Sequence, residues 1–259
     1  GYSYDDAQAS FELLALRQQK KLPAYFTVDR FSVTVESARD VSGDLMSRAL
    51  AVVEMTVAGD KIRNTGGGNG PVKTVHISGG VYMLVGGGAN LVVSVGDEGV
   101  LVVDTMTEPL GDAMVAEVKR LAAGKPIRWI INTHIHPDHW GGNEAIAKAG
   151  STIAGGNVSG AIADASEGAA VVAHENVLTH MSSGPSPPPF EAWPTDTMFV
   201  PQKDIYFNGE AVQLLHQPAA HTDGDVMVFF RRTDVISTGD IFVTTSYPVI
   251  RTEDGGGIN

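Results

Sequence analysis

The chain has 259 residues, of which 43% are hydrophobic and 19% are charged, a balance that excludes a disordered chain and allows one sizeable core. Its 18 basic and 30 acidic residues give a formal net charge of −12, and such an acidic surface disfavours nucleic acid as a partner. The absence of cysteine excludes disulfides and cysteine-based zinc sites. No apolar run reaches the roughly 18 residues of a membrane-spanning helix, so no membrane partner is expected.

The N-terminal part of the sequence predicts a small appendage and a linker. Apolar residues recur at helical spacing in 5–21, and residues 24–36 alternate as a half-buried strand does. The glycine-rich segment 65–71 predicts a linker. We therefore expect an appendage at 1–64 that contributes no metal ligand, and a main domain at 72–259. The first residues lack a secretion signal, so the compartment is periplasmic or extracellular if a signal peptide has been removed, and cytoplasmic otherwise.

After the linker the sequence changes to short β-rich runs separated by glycine and aspartate. These runs predict strands at 81–85, 91–95, 100–103, 127–131, 212–215, 226–230 and 235–236. The intervening segments predict two helices and a proline-rich loop, at 110–121, 157–182 and 183–194. Strands in runs, with helices between the runs, indicate helices that cover stacked sheets.

The residues that follow the strand predicted at 127–131 are typical of a metal site. Three histidines and one carboxylate lie within six positions: His134, His136, Asp138 and His139. His134 and His136 are two positions apart, so in an extended segment they project to the same side. Imidazole and carboxylate suit zinc, and such a loop can present two ligands to one cation and two to a neighbouring cation. The other histidines are expected outside the site: His76 has no ligand-like neighbour, His216 lies on an apolar strand, and His174 and His180 are expected on a helix surface.

This segment resembles the H-x-H-x-D-H signature of the metallo-β-lactamase superfamily. Three other segments match that family, and they occur in the family's order along the chain. Before the motif, Asp104 ends an apolar strand; after it, His221 lies in Ala-His-Thr and Asp240 lies in Ser-Thr-Gly-Asp. The resemblance covers about residues 72–250. It implies the α/β (α+β) fold of that family, a four-layer αββα sandwich.

The resemblance also implies six ligands for one or two zinc ions. His134, His136 and His221 would hold the first ion. Asp138 and His139 would hold the second, and the Asp240 carboxylate would bridge both. Three neutral imidazoles leave a tetrahedral zinc one open position for a water, whose pKa falls to about 7. Asp138 would be the catalytic residue that orients this nucleophile and passes a proton to the leaving group. Asp104 and Thr133 would fix the ligand loop by hydrogen bonds.

The implied function is hydrolysis of an amide-type bond in a small molecule, including a β-lactam, by a metal-bound hydroxide. Asp240 stands where some lactamases carry cysteine, as in thioesterase-like branches, so a thioester hydrolase of the glyoxalase II type is the alternative. A di-iron flavoprotein would carry a carboxylate in place of one of the motif histidines, and an RNA-processing nuclease would need a basic groove. A non-enzymatic zinc-binding fragment is the remaining alternative, and the oligomeric state stays open.

The family supplies a final histidine after the bridging aspartate, and none occurs in the 19 residues that follow Asp240. The resemblance therefore implies a chain truncated at its C-terminus, with the second half of the sandwich incomplete. Because the second site would then lack one ligand, we expect about one zinc to be held tightly.

Overall fold

The computed structural model describes residues 72–151, 168–184, 186–243 and 247–258. The appendage and linker predicted over 1–71 lie outside the described residues, as does the first part of the helix predicted at 157–182. Two β-sheets lie face to face, and helices pack on the outer face of the larger sheet. None of the helices in these ranges is long and apolar enough to cross a membrane.

Among the described residues, the larger sheet has seven strands, which follow one another in chain order. The first four strands pair antiparallel: β1 (Lys73–Ser78), β2 (Val81–Gly86), β3 (Ala89–Gly96) and β4 (Gly99–Val103). The last three run parallel to β4 and to one another: β5 (Ile127–Ile131), β6 (Ala170–His174) and β7 (Asp196–Met198). The carboxyl ends of these four parallel strands share one edge, which is where open α/β sheets bind ligands.

The smaller sheet has four antiparallel strands in the order β11-β10-β9-β8. Their bounds are β8 (Gln202–Phe207), β9 (Glu210–Gln217), β10 (Asp225–Phe230) and β11 (Val235–Ser237). The seven strands predicted after the linker are confirmed, whereas β1, β7 and β8 were not predicted.

Four α-helices in the described part of the chain accompany the sheets: α1 (Gly111–Ala122), α2 (Pro137–Trp140), α3 (Asn143–Lys148) and α4 (Glu175–Ser183). The helix predicted at 110–121 is confirmed as α1, which ends where Ala123 adopts a left-handed φ of 49° next to Gly124. Helices α1 and α3 cover the larger sheet, and α2 is a single turn inside the predicted metal motif.

Side-chain alternation along the strands divides the core into two layers. In β4, Val100 and Val102 pack toward the helices, whereas Leu101 and Val103 pack toward the smaller sheet. The described residues thus form three layers of the expected four-layer sandwich: helices, large sheet and small sheet. No helix within the described ranges covers the outer face of the small sheet, which carries an apolar cluster of Met227, Phe229 and Ile236.

The helix predicted over 157–182 is wrong for its middle part, because 170–174 form strand β6. Strand β6 pairs in parallel with both β5 and β7, and most of its side chains are buried. A short run of alanine and valine fits a buried strand and a buried helix equally well. Only the pairing with neighbouring strands therefore decides which of the two structures forms. The helical part begins at Glu175, where His174 Nδ1 accepts a hydrogen bond from the Asn176 N–H at 3.3 Å.

Candidate metal centre

The motif predicted to bind metal lies at the carboxyl edge of the large sheet, directly after β5. His134 is completely buried, and His136 immediately precedes α2. Asp138 and His139 lie on α2, where His139 is buried and the Asp138 side chain is 46% exposed. Asp138 and His139 therefore lie on one helical turn, directly after the segment that carries His134 and His136.

Two further candidate ligands come from the small sheet. His221 lies in the loop between β9 and β10 and is buried, and Asp240 lies in a 3-10 turn, Gly239–Ile241, after β11. Both sheets thus contribute side chains to one place.

Three imidazole nitrogens converge at this place. His136 Nδ1 lies 3.0 Å from His134 Nε2 and 2.9 Å from His221 Nε2. Asp240 Oδ2 lies 3.6 Å from His221 Nε2 and 4.0 Å from His134 Nε2. The four ligand atoms all lie within 4.8 Å of one another. Two ligands of a tetrahedral zinc are about 3.3 Å apart, given bonds of about 2.0–2.1 Å, so the nitrogens have nearly the spacing that one zinc requires.

For two of the rings in their neutral form, hydrogen bonds on the far side fix which nitrogen carries the proton. His221 Nδ1 lies 2.5 Å from the Val249 carbonyl oxygen, which can only accept, so Nδ1 donates and Nε2 is bare. His136 Nε2 donates to Asp254 Oδ2 at 3.1 Å, so its Nδ1 is bare. Two nitrogen lone pairs therefore face each other across 2.9 Å.

The hydrogen bonds of Thr133 fix the tautomer of His134 in the same way. The Thr133 hydroxyl donates to Asp104 Oδ2 at 2.8 Å, so its oxygen accepts from His134 Nδ1 at 3.1 Å and His134 Nε2 is bare. Burial, together with the imidazoles around it, holds the pKa of His134 well below its usual value, so this ring stays neutral. Three converging lone pairs repel one another unless a cation lies among them, so the donor set fits a metal ion such as zinc.

A second group of ligand atoms lies beside the first. His139 Nδ1 donates to Asp104 Oδ2 at 2.8 Å, and His139 Nε2 faces Asp240 Oδ1 at 3.3 Å and Asp138 Oδ2 at 3.7 Å. Asp240 therefore directs one carboxylate oxygen toward each group, as a bridging ligand would. All six residues predicted as metal ligands lie in this one region.

Protonation of His139 predicts that the two metal positions respond differently to pH. Burial opposes the charged imidazole, but the carboxylates of Asp104 and Asp240 outweigh it and hold the pKa of His139 well above its usual value. A metal at the second position must displace this proton, so its affinity should rise as the pH rises. His134 carries no proton to displace at neutral pH, so the first position should stay filled to lower pH.

Metal content after equilibration at limiting free zinc, across about pH 6–8, measures this difference. We expect the weaker second ion to be lost first as the pH is lowered, so that the content falls toward one ion per chain. Loss of both ions with a single pH dependence would contradict the assignment of His139 to a separate position.

Asp104 holds the motif from behind, as predicted. Its carboxylate accepts the Thr133 N–H and the Thr133 hydroxyl, both at 2.8 Å, as well as the His139 ring. Asp104 has a φ of 62°, in the left-handed region that costs a non-glycine residue energy and that clusters at functional sites. The hydrogen bonds to the motif offset this cost.

Two buried asparagines, which no sequence motif predicts, complete the support. Asn132 Nδ2 donates to the His139 carbonyl oxygen at 3.2 Å, and Asn143 Nδ2 donates to Asn132 Oδ1 at 2.8 Å. The Thr105 hydroxyl donates to Asn143 Oδ1 at 2.9 Å. Only their positions in the sequence could have indicated this supporting role, because Asn132 directly follows the strand predicted at 127–131 and Asn143 follows the metal motif.

Asp225 stabilises the loop that carries His221 by hydrogen bonds, as Asp104 stabilises the motif after β5. It accepts the Thr222 N–H and the Thr222 hydroxyl, both at 2.8 Å, and burial raises the pKa of its carboxyl group. The neighbouring Val226 N–H donates to the Thr133 carbonyl oxygen at 2.8 Å, which joins the two sheets at the site. His221 is thereby held in register with the motif after β5.

The sequence model of the metallo-beta-lactamase superfamily matches residues 84–257, more than half of the chain. The chain belongs to the metallo-beta-lactamase superfamily. The four-layer sandwich expected from the resemblance is the fold of this superfamily. Membership and the His/Asp cluster together support a metal-dependent hydrolase.

Solved structures similar to the chain include two metallo-beta-lactamases. One, from Pontibacter korlensis, is 18% identical, with a TM-score of 0.46 over 64% of this chain and 69% of that chain. The other, from Hirschia baltica, is 19% identical, with a TM-score of 0.46 over 64% of this chain and 70% of that chain. No curated protein matches the chain.

Proposed function

We propose that the chain is a zinc-dependent hydrolase that opens an amide-type bond, such as that of a β-lactam, in a small-molecule substrate. The observation that carries this proposal is the convergence of three bare imidazole nitrogens, from His134, His136 and His221, beside the Asp240 carboxylate. Zinc held by three imidazoles keeps a position for a water, and two adjacent metal positions that share a carboxylate can activate that water between them. Superfamily membership supports hydrolysis as the reaction class.

The remaining residues of the site have distinct roles in this proposal. Zinc, when bound, lowers the pKa of a water to about 7 and so supplies a nucleophile at neutral pH. Asp138, which is half-exposed at the site, would orient the attacking water, accept its proton and return that proton to the leaving group as the bond to it breaks. Burial opposes ionisation of Asp240, but its hydrogen bond with His139 outweighs burial and lowers the pKa of Asp240, so it remains a carboxylate ligand.

A thioester hydrolase is the second candidate, and Asp240 is the residue that favours it. An oxygen ligand occupies the position at which the resemblance places cysteine in some lactamases, and thioesterase-like members share the aspartate. The same ligands would activate the same water for attack on a thioester carbonyl, so the metal centre does not distinguish the two substrates.

Parallel assays of the zinc-loaded protein against a β-lactam and a thioester test the proposal. We expect hydrolysis of one substrate, lost on treatment with a chelator and restored by zinc. Hydrolysis that survives removal of metal would overturn the proposal. A protein that binds zinc tightly but hydrolyses neither substrate would favour the non-enzymatic zinc-binding alternative.

A further inference from the structure

The segment 247–258 packs against the candidate metal centre from the side opposite the bare nitrogens. Its backbone is tied to the loop that carries His221. The Arg251 N–H donates to the His221 carbonyl oxygen at 2.8 Å, and the Gly257 N–H donates to the Ala220 carbonyl oxygen at 3.0 Å. A Cβ at Gly256 would lie 2.2 Å from the His221 carbonyl oxygen, so glycine is required for this close approach.

The same segment contacts two of the three converging imidazoles on their far nitrogens. The Val249 carbonyl oxygen accepts from His221 Nδ1, and Asp254 Oδ2 accepts from His136 Nε2. The 3-10 turn Thr252–Asp254 places Asp254, and its carbonyl oxygen accepts the Asp223 N–H at 3.0 Å. Asp254 is thus anchored by its backbone while its side chain reaches His136.

His136 differs from the other two rings in the nitrogen that it presents. His134 and His221 direct Nε2 to the common point, whereas His136 directs Nδ1. The Nδ1 atom is bare only while the proton stays on Nε2, which is where Asp254 accepts it. A carboxylate behind a metal-binding imidazole fixes the tautomer and the ring orientation, and it raises the basicity of the ligand.

We propose that Asp254 is a positioning residue, which holds His136 with Nδ1 toward the metal and thereby sets the affinity of the first metal position. This inference rests on the proposed metal centre. Asp254 acts through His136 and takes no part in proton transfer to the substrate.

The test compares metal affinity of Asp254→Ala with that of the unaltered protein, by competition with a chromophoric chelator for zinc. We expect affinity at the first position to fall about 10–100-fold. We also expect the visible absorption bands of the cobalt(II)-loaded protein to change, because the ring of His136 is no longer held. Asp254→Asn keeps an oxygen that can accept the N–H, so it should weaken binding less.

Glu253→Ala is the matched control, since Glu253 lies on the same turn and has the same charge. Glu253 is 58% exposed and pairs with Arg251 Nη2 at 3.0 Å, whereas Arg251 Nε lies 3.7 Å from Asp254 Oδ2, farther than the 3.1 Å from His136 Nε2 to the same oxygen. Removal of Glu253 should leave zinc affinity and the cobalt spectrum unchanged. Equal losses in Glu253→Ala and Asp254→Ala, or unchanged affinity in a folded Asp254→Ala, would overturn the role of Asp254.

A measurement on the unaltered protein covers the case in which Asp254→Ala does not fold. Long-range proton–nitrogen NMR spectra of the zinc-loaded protein should show His136 with a protonated Nε2 and a zinc-bound Nδ1. His136 bound through Nε2 would overturn the inference alone. An unaltered protein that binds no zinc would overturn the metal centre, and the role of Asp254 with it.

Discussion

Replacing His136 with alanine is expected to abolish tight zinc binding at the first position and to lower the hydrolytic rate by a factor on the order of 10³. The ring supplies one of three converging nitrogens, 3.0 Å from His134 Nε2 and 2.9 Å from His221 Nε2. Its side chain is 20% exposed, whereas His134 is fully buried, so His136 can be removed with less damage to the core. Chelator competition and steady-state rates measure the two effects.

His76→Ala provides the control for this substitution. His76 is an exposed histidine on β1 that hydrogen-bonds to the Gly79 carbonyl oxygen and lies outside the site. Its loss should change neither zinc affinity nor rate. A folded His136→Ala protein with the zinc affinity of the unaltered protein would show that the three nitrogens do not share one metal.

Replacing Asp138 with asparagine is expected to lower kcat by about 10²–10⁴-fold, the usual contribution of general acid–base catalysis. Asparagine has the shape of aspartate but cannot accept and return a proton. Zinc at the first position should be held almost as tightly as before, because His134, His136 and His221 are unchanged. The second position, where Asp138 Oδ2 lies 3.7 Å from His139 Nε2, should weaken.

Rates measured at increasing zinc separate the two consequences of this substitution. Added zinc restores a rate that is lost through weaker binding, and it leaves a rate that is lost through proton transfer unchanged. Asp97→Asn, at a fully exposed carboxylate on the surface, is the matched control and should have no effect. An unchanged kcat in Asp138→Asn would refute the proposed role of Asp138.

The strands that carry the site could be predicted because they are short runs rich in apolar residues. Strand β5 has the predicted bounds, and β4 begins one residue earlier than predicted. The three strands without a prediction, β1, β7 and β8, all lie at sheet edges. An edge strand has one partner and carries polar residues on its free side. Strand β8, for example, has only Ile205 and Phe207 buried, and its exposed positions are polar or aromatic.

The site itself was predictable to the extent that it is local in the sequence. His134, His136, Asp138 and His139 lie within six positions, and their spacing alone indicates a metal loop. His221 and Asp240 are distant in sequence, and only the family resemblance connected them to that loop. Asp254 lies 118 positions from His136, in a segment with no strand or helix periodicity. Its contact depends on how the segment 247–258 folds over the His221 loop, which no local pattern encodes.

Anomalous diffraction at the zinc absorption edge, from crystals of the zinc-loaded protein, tests the metal centre most directly. We expect a peak at about 2.0–2.1 Å from His134 Nε2, His136 Nδ1 and His221 Nε2. A second, weaker peak should lie between His139 Nε2 and the Asp138 and Asp240 carboxylates. A map with no zinc peak among the three histidines, or with zinc bound elsewhere, would contradict the assignment of this cluster as the metal centre.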